Sequence, residues 1–180
     1  MNLTYDNARK FFRAASRLLD YPDAQWRQDL TSVESILHEI PDCTQAEALL
    51  DFIQAARAAT AREFESRYVD TFDFSNKTSL HLTSRERADA GIQRMDLIAY
   101  SVYFEEAGFE APDDLPDSLP VLLELASQLD NKALTRLARD IDHDIELLEK
   151  SLIEHHVVDY AAVIAAIHDV IRLVNQEEAA

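Results

Sequence analysis

The chain is expected to fold as an all-α, single-domain helical bundle of about seven helices spanning residues 1–180, and three observations predict this. Apolar residues recur at i, i+3, i+4 and i+7 along most of the length, and nowhere alternate strictly as a half-buried strand requires. Glycine occurs twice and proline five times, so connections are few and short. Apolar residues make up 47% of 180, enough for one sizeable core.

The elements follow in order. A first helix spans about Asp6 to Leu19, with Phe11, Phe12, Ala15, Leu18 and Leu19 on its apolar side. Asp20-Tyr-Pro-Asp23 stops it, because Pro22 lacks an N–H and disfavours α geometry at Tyr21. Asp23 caps a second helix through Trp26, Leu30, Val33 and Leu37 that ends near Pro41. Thr44-Gln-Ala-Glu47 has the form of a capping box and opens a long helix that reaches Tyr68 and Phe72. The polar run Ser75-Asn-Lys-Thr-Ser79 breaks the pattern, placing a loop near 73–83.

Thr83-Ser-Arg-Glu86 matches a second capping box, and the helix it opens runs to Ala107, stopped by Gly108. Its apolar positions include Ile92, Met95, Ile98, Val102, Tyr100 and Phe104. The proline-rich stretch after it places a loop near 109–118, with Asp117 or Ser118 capping the next helix and Pro120 in its first turn. That helix carries Leu122, Leu123, Leu125, Ala126 and Leu129. Another starts at Asp130 or Asn131 and bears Leu134, Leu137, Ile141, Ile145, Leu148 and Leu152. The last begins near Asp159 with Val163, Ile164, Ile167, Ile171 and Val174.

Thirty-four acidic against seventeen basic residues leave a formal charge of −17, which repels nucleic acid and anionic lipid. The same field either keeps the protein in solution or attracts a basic partner segment, and composition does not choose. No basic n-region followed by an apolar stretch opens the chain, and no apolar run is long enough to span a bilayer. With Cys43 as a single thiol, these features predict a cytoplasmic protein with no direct membrane insertion.

Catalytic patterns are missing from the sequence. Asp140, His143 and Glu146 fall at i, i+3, i+6, but a helical carboxylate metal site needs Glu-x-x-His on two helices and further glutamates. His155 and His156 are adjacent and point different ways. Ser118 and Cys43 lack the context of a nucleophile, and two glycines cannot make a phosphate-cradling loop. The expectation is a protein without enzyme activity, metal or cofactor.

Aromatic and leucine side chains beside the loops point instead to a binder of something apolar and extended. Phe64, Tyr68 and Phe72 share one helix face at i, i+4, i+8, where core packing and a groove lining are both open readings. The candidate binding residues are Tyr68, Phe72, Phe74, Leu80, Leu82, Tyr100, Phe104, Leu115, Pro116 and Asp117. Arg85, Arg87 and Arg94 lie near the same break.

Three segments carry a family resemblance: Ser16-Arg-Leu-Leu-Asp-Tyr-Pro-Asp23, then Tyr68-x-x-x-Phe-Asp-Phe with Thr78-Ser-Leu-x-Leu, then Gly108-Phe through Leu115-Pro-Asp-x-Leu-Pro-x-x-Leu-Glu124. In this order and at these separations, from about Phe11 to Leu129, the chain resembles the redox-enzyme maturation chaperones, especially those that assemble nitrate reductase. One segment departs: in place of Gly-Asp/Glu-x-Arg-x-Arg-Gly the chain has Ala88-Asp-Ala-Gly-Ile-Gln-Arg94, which keeps Asp89 and loses the Arg-Gly pair.

The resemblance implies a cytosolic helical chaperone that binds the N-terminal region of a molybdenum-dependent reductase's catalytic subunit. It would keep that subunit competent for cofactor insertion before membrane assembly. An amphipathic client helix would set its apolar anchors in an aromatic groove. Two rivals stand beside it. An acidic helical scaffold binding a basic partner surface predicts rows of exposed carboxylates and no apolar cleft. A cofactor enzyme built in a bundle predicts buried carboxylates.

Overall fold

The computed structural model describes residues 3–84, 90–110 and 116–177, with the backbone alone for 90–94. Among these residues eight α-helices and one short 3₁₀ turn account for the regular structure. The helices are α1 (Tyr5–Leu18), α2 (Ala24–His38), α3 (Thr44–Ala58), α4 (Ala61–Phe72), α5 (Ala90–Glu106), α6 (Leu119–Ala126), α7 (Asn131–Glu154) and α8 (Val158–Glu177). The 3₁₀ turn covers Leu82–Ser84.

α1 lies inside the bundle. Thr4 caps it by accepting from the Asn7 N–H, and Ala8, Phe11, Phe12, Ala14, Ala15 and Leu18 are all buried. So many buried positions cannot fall on one stripe. They reflect neighbours on several sides, with α2, α6 and α8 packed around α1. Two hydrogen bonds fix α1 antiparallel to α6: the buried Ser16 hydroxyl donates to the Pro120 carbonyl (2.8 Å), and Arg9 Nε donates to the Leu129 carbonyl (2.8 Å). α7 and α8 form a long hairpin that closes the opposite side, and α3 packs on α8.

Local chemistry sets most helix ends. Asp23 accepts from the Trp26 N–H (2.8 Å) and Asp130 from the Ala133 N–H (2.8 Å), as expected of N-caps. Gly108, at φ +78°, ends α5 in a Schellman motif: its N–H donates to Glu105 O, and the Phe109 N–H to Phe104 O. His156 takes the equivalent left-handed position after α7, at φ +59°.

Three sequence expectations are corrected. The long helix from Thr44 is two helices, because Ala59 is extended and Thr60 with Glu63 forms the complete capping box that starts α4. The pattern at Thr44–Glu47 makes no such box, since Cys43 holds the N-cap position with no side-chain bond. Met95, Ile98 and Val102 are exposed, because α5 turns Tyr100, Tyr103 and Phe104 to the core, where the Tyr103 hydroxyl reaches Asp140 (2.5 Å). Of the two cap candidates for α6, Ser118 holds the position, without a side-chain bond, and the Asp117 side chain turns inward. Glu86 and Leu115 lie outside the described residues.

The face Phe64–Tyr68–Phe72 belongs to the core. Phe64 and Phe72 are buried, and Tyr68 is partly buried with its hydroxyl donating to the Leu19 carbonyl (3.0 Å). Phe72 meets Tyr160 at 4.7 Å between ring centroids and Tyr68 at 5.0 Å, while Phe64 stacks on Trp26 at 5.3 Å. Burial drives the hydroxyls of Tyr68 and Tyr160 far above the usual phenol range, so both remain neutral. Phe72→Ala is therefore expected to cost about 3–5 kcal/mol of stability, read by chemical denaturation. A variant with wild-type stability would return Phe72 to the surface reading.

Candidate functional site

Where α1 ends, a cleft of about 410 Å³ opens against α6 and the end of α5. Each wall has a local cause. The Asp20-Tyr-Pro-Asp23 corner ends α1 and leaves Arg17 and Asp20 on the rim. The Schellman turn at Gly108 swings Phe109, 46% exposed, to the opening beside the buried Phe104. Antiparallel packing on α1 presents Pro120, Val121, Glu124, Leu125 and Gln128 of α6. The lining is apolar at its centre and charged at the rim by Arg17, Asp20, Glu110 and Glu124.

The rim charges are loosely satisfied. Arg17 stands 3.7 Å from an Asp20 oxygen and 3.8 Å from a Glu124 oxygen, within ion-pair range but beyond a hydrogen bond. Asp20 sits above the usual carboxylate range, first because it is partly buried and then because Glu124 and Asp23 repel its charge, while Arg17 pulls the other way. A second cleft of about 360 Å³ lies across the corner, sharing Arg17 and Asp20 and adding Tyr21, Asp23, Trp26 and Asp29. Tyr21 is half exposed and meets Tyr68 edge-on at 5.6 Å.

A carboxylate clamp holds the start of α6. Asp117 has no exposure; its Oδ2 accepts from the Thr83 N–H (2.9 Å) and the Thr83 hydroxyl (2.5 Å), and its Oδ1 faces His81 Nδ1 at 3.1 Å. Backbone bonds add to this, from Leu82 N–H to Asp117 O (3.1 Å) and from Leu119 N–H to Leu80 O (2.9 Å). Burial works against the Asp117 charge, but His81 and Thr83 together hold its carboxyl below the usual range. The clamp joins the segment at 80–84 to the N-terminus of the helix that forms one wall of the cleft.

The sequence candidates are dispersed by the fold. Phe104 lines the 410 Å³ cleft. Leu80, Leu82 and Asp117 come together at the clamp, with Leu80 and Leu82 buried and Pro116 half buried. Tyr68 and Phe72 sit in the aromatic core, and Tyr100 is buried on α5. Phe74 is 77% exposed. Leu115, Arg85, Arg87 and Asp89 lie outside the described residues. Asp140, His143 and Glu146 do not all come together: Asp140 accepts from Tyr103, while the exposed His143 stands 3.8 Å from Glu146, which also pairs with Lys150 (3.0 Å). Sequence reasoning missed Arg17, Asp20, Phe109, Val121 and Glu124 as site residues, although the first and third family segments contain all five.

A family model described as nitrate reductase delta subunit matches residues 39–166. The probable nitrate reductase molybdenum cofactor assembly chaperone NarJ of Bacillus subtilis is 34% identical over 126 residues, covering 68% of this chain and 67% of that protein. The nitrate reductase-like protein NarX of Mycobacterium tuberculosis is 31% identical over 157 residues, covering 87% of this chain and 23% of that protein. The nitrate reductase molybdenum cofactor assembly chaperone NarJ of Escherichia coli K12 is 31% identical over 144 residues, covering 76% of this chain and 59% of that protein. The chain thus spans less than a quarter of the mycobacterial relative and somewhat over half of the E. coli one. It belongs to the nitrate reductase delta subunit family.

Two substitutions test this electrostatic reading. Asp117→Asn loses a charged acceptor and is expected to cost about 2–3 kcal/mol. Because the folded state lowers the Asp117 pKa, that stability is present above the usual carboxylate range and is lost as pH falls through the depressed value. Asp20→Asn does the reverse. A raised folded pKa means the charge is a burden at neutral pH, so D20N should melt higher than wild type there, with the gap shrinking as acid protonates Asp20. Thermal melts across pH check both, and parallel pH profiles for the two variants would contradict the assignment.

Proposed function

We propose that the chain is an assembly chaperone without enzyme activity, serving a molybdenum-dependent nitrate reductase. It acts in the cytoplasm, binds the N-terminal region of the catalytic subunit and keeps that subunit competent for cofactor insertion before membrane assembly. Family membership and the names of the relatives support the chaperone role. Among the described residues no helix is long and apolar enough to cross a membrane.

The observation that carries the client-binding part is a convergence. Ser16–Asp20, Gly108-Phe109 and Pro120–Glu124 are distant in sequence, belong to the first and third of the three segments that carry the family resemblance, and meet around one apolar-centred cleft. An amphipathic helix places anchors at i, i+3, i+4 and i+7 into such a groove, and burying a few of them drives association. Of the candidates read from sequence, Phe104 keeps a place in this site, joined by Phe109, Val121 and Leu125. The exposed Met95, Ile98 and Val102 offer further apolar surface on one face of α5. An acidic scaffold would need no such cleft, and its reading gains nothing from the geometry.

Calorimetry with a synthetic peptide of the catalytic subunit's N-terminal segment provides the test. Phe109 is half exposed, so Phe109→Ala should leave melting nearly unchanged while losing about 2 kcal/mol of binding, the scale of an aromatic anchor. Val121→Asp should abolish binding by placing a charge on the apolar floor. Full affinity in both variants would move the client site elsewhere.

A further inference from the structure

We infer that Arg17 is a resident stand-in for a client cation: the Asp20–Glu124 pair forms a subsite for one arginine or lysine side chain of the bound segment, which displaces Arg17 on binding. The inference rests on the reading of the cleft as the client site and specifies the chemistry of what enters it.

Four observations support it. Two carboxylates flank a single cation at the cleft rim, so the cluster keeps an excess negative charge. Arg17 reaches both carboxylates only at 3.7 and 3.8 Å and forms a hydrogen bond with neither, which leaves its hold weak and replaceable. The second oxygen of Glu124, Oε2, is buried and has no hydrogen-bond partner. A buried carboxylate oxygen without a donor is costly, and a guanidinium or ammonium arriving along the apolar floor would supply one. Finally, Arg17 is half exposed, so it can swing to solvent without breaking packing.

Charge complementarity also selects the occupant. A wholly apolar segment would fill the cleft and leave Glu124 Oε2 without a donor, whereas a segment with one basic residue beside its apolar anchors satisfies both. A basic side chain that fails to reach the pair would meet Arg17 as a like charge. The subsite therefore fixes the register of the segment as well as its composition.

The experiment uses the full chain and the synthetic N-terminal segment of the catalytic subunit, unmodified and with each lysine or arginine replaced in turn by norleucine or citrulline. Glu124→Gln and Asp20→Asn should each weaken the unmodified peptide about tenfold and leave one neutralised peptide unaffected, which identifies the docked residue by a double-mutant cycle. Arg17→Met, which keeps the apolar stem, should tighten the unmodified peptide severalfold. Weaker binding to R17M, or equal losses for charged and neutralised peptides across the variants, would overturn the subsite while leaving the cleft as the client site. A wild-type chain that binds no peptide would overturn both.

Discussion

The buried Ser16 hydroxyl, donating to the Pro120 carbonyl, marks the contact on which the rest of the molecule depends. Ser16 is buried, and α1 and α6 approach closely enough for its hydroxyl to reach a helix backbone. A hydroxyl buried without that partner would cost about 1–3 kcal/mol, so the bond fixes the register of the two helices as well as joining them. Once α1 is held in this way, its remaining faces are taken by α2 and α8, and the α7–α8 hairpin closes over the far side.

That register also makes the cleft. Because α1 and α6 run antiparallel, the end of α1 lies beside the start of α6, and the corner at Asp20–Asp23 opens a gap that neither helix fills. α5 supplies the third wall only because Gly108 can adopt positive φ and turn Phe109 back toward Phe104. The Asp117 clamp holds the first residue of α6 from the other side. Each wall therefore depends on a different local device. A groove built this way is rigid at its floor and adjustable at its rim, where the long side chains of Arg17 and Glu124 lie.

The helical class and most helix ends were legible in the sequence because caps and prolines act locally. Asp23, Asp130, Gly108 and Pro120 play the parts that their chemistry suggests. The break at Ala59–Thr60 was not legible, because the apolar period continues across it from Phe52 to Phe64 and hides the Thr60 box. α5 misled for a different reason. It is apolar on two faces, and only the partners Asp140 and Asp144 for the hydroxyls of Tyr103 and Tyr100 show which face turns inward. The site was least legible of all. Tyr68 and Phe72 carried a strong aromatic signal that burial explains, whereas Arg17, Val121 and Glu124 gain meaning only when α1 and α6 are side by side.

The central claim is that the client segment lies in the cleft between α1, α6 and the end of α5. Photo-crosslinking tests it most directly, using the client N-terminal peptide with a benzophenone side chain at each apolar position in turn and mass spectrometry of the adducts. The account expects adducts within 16–20, 104–110 and 120–128, with none on the α7–α8 hairpin. Adducts concentrated at Phe74, or along α7 and α8, would contradict it.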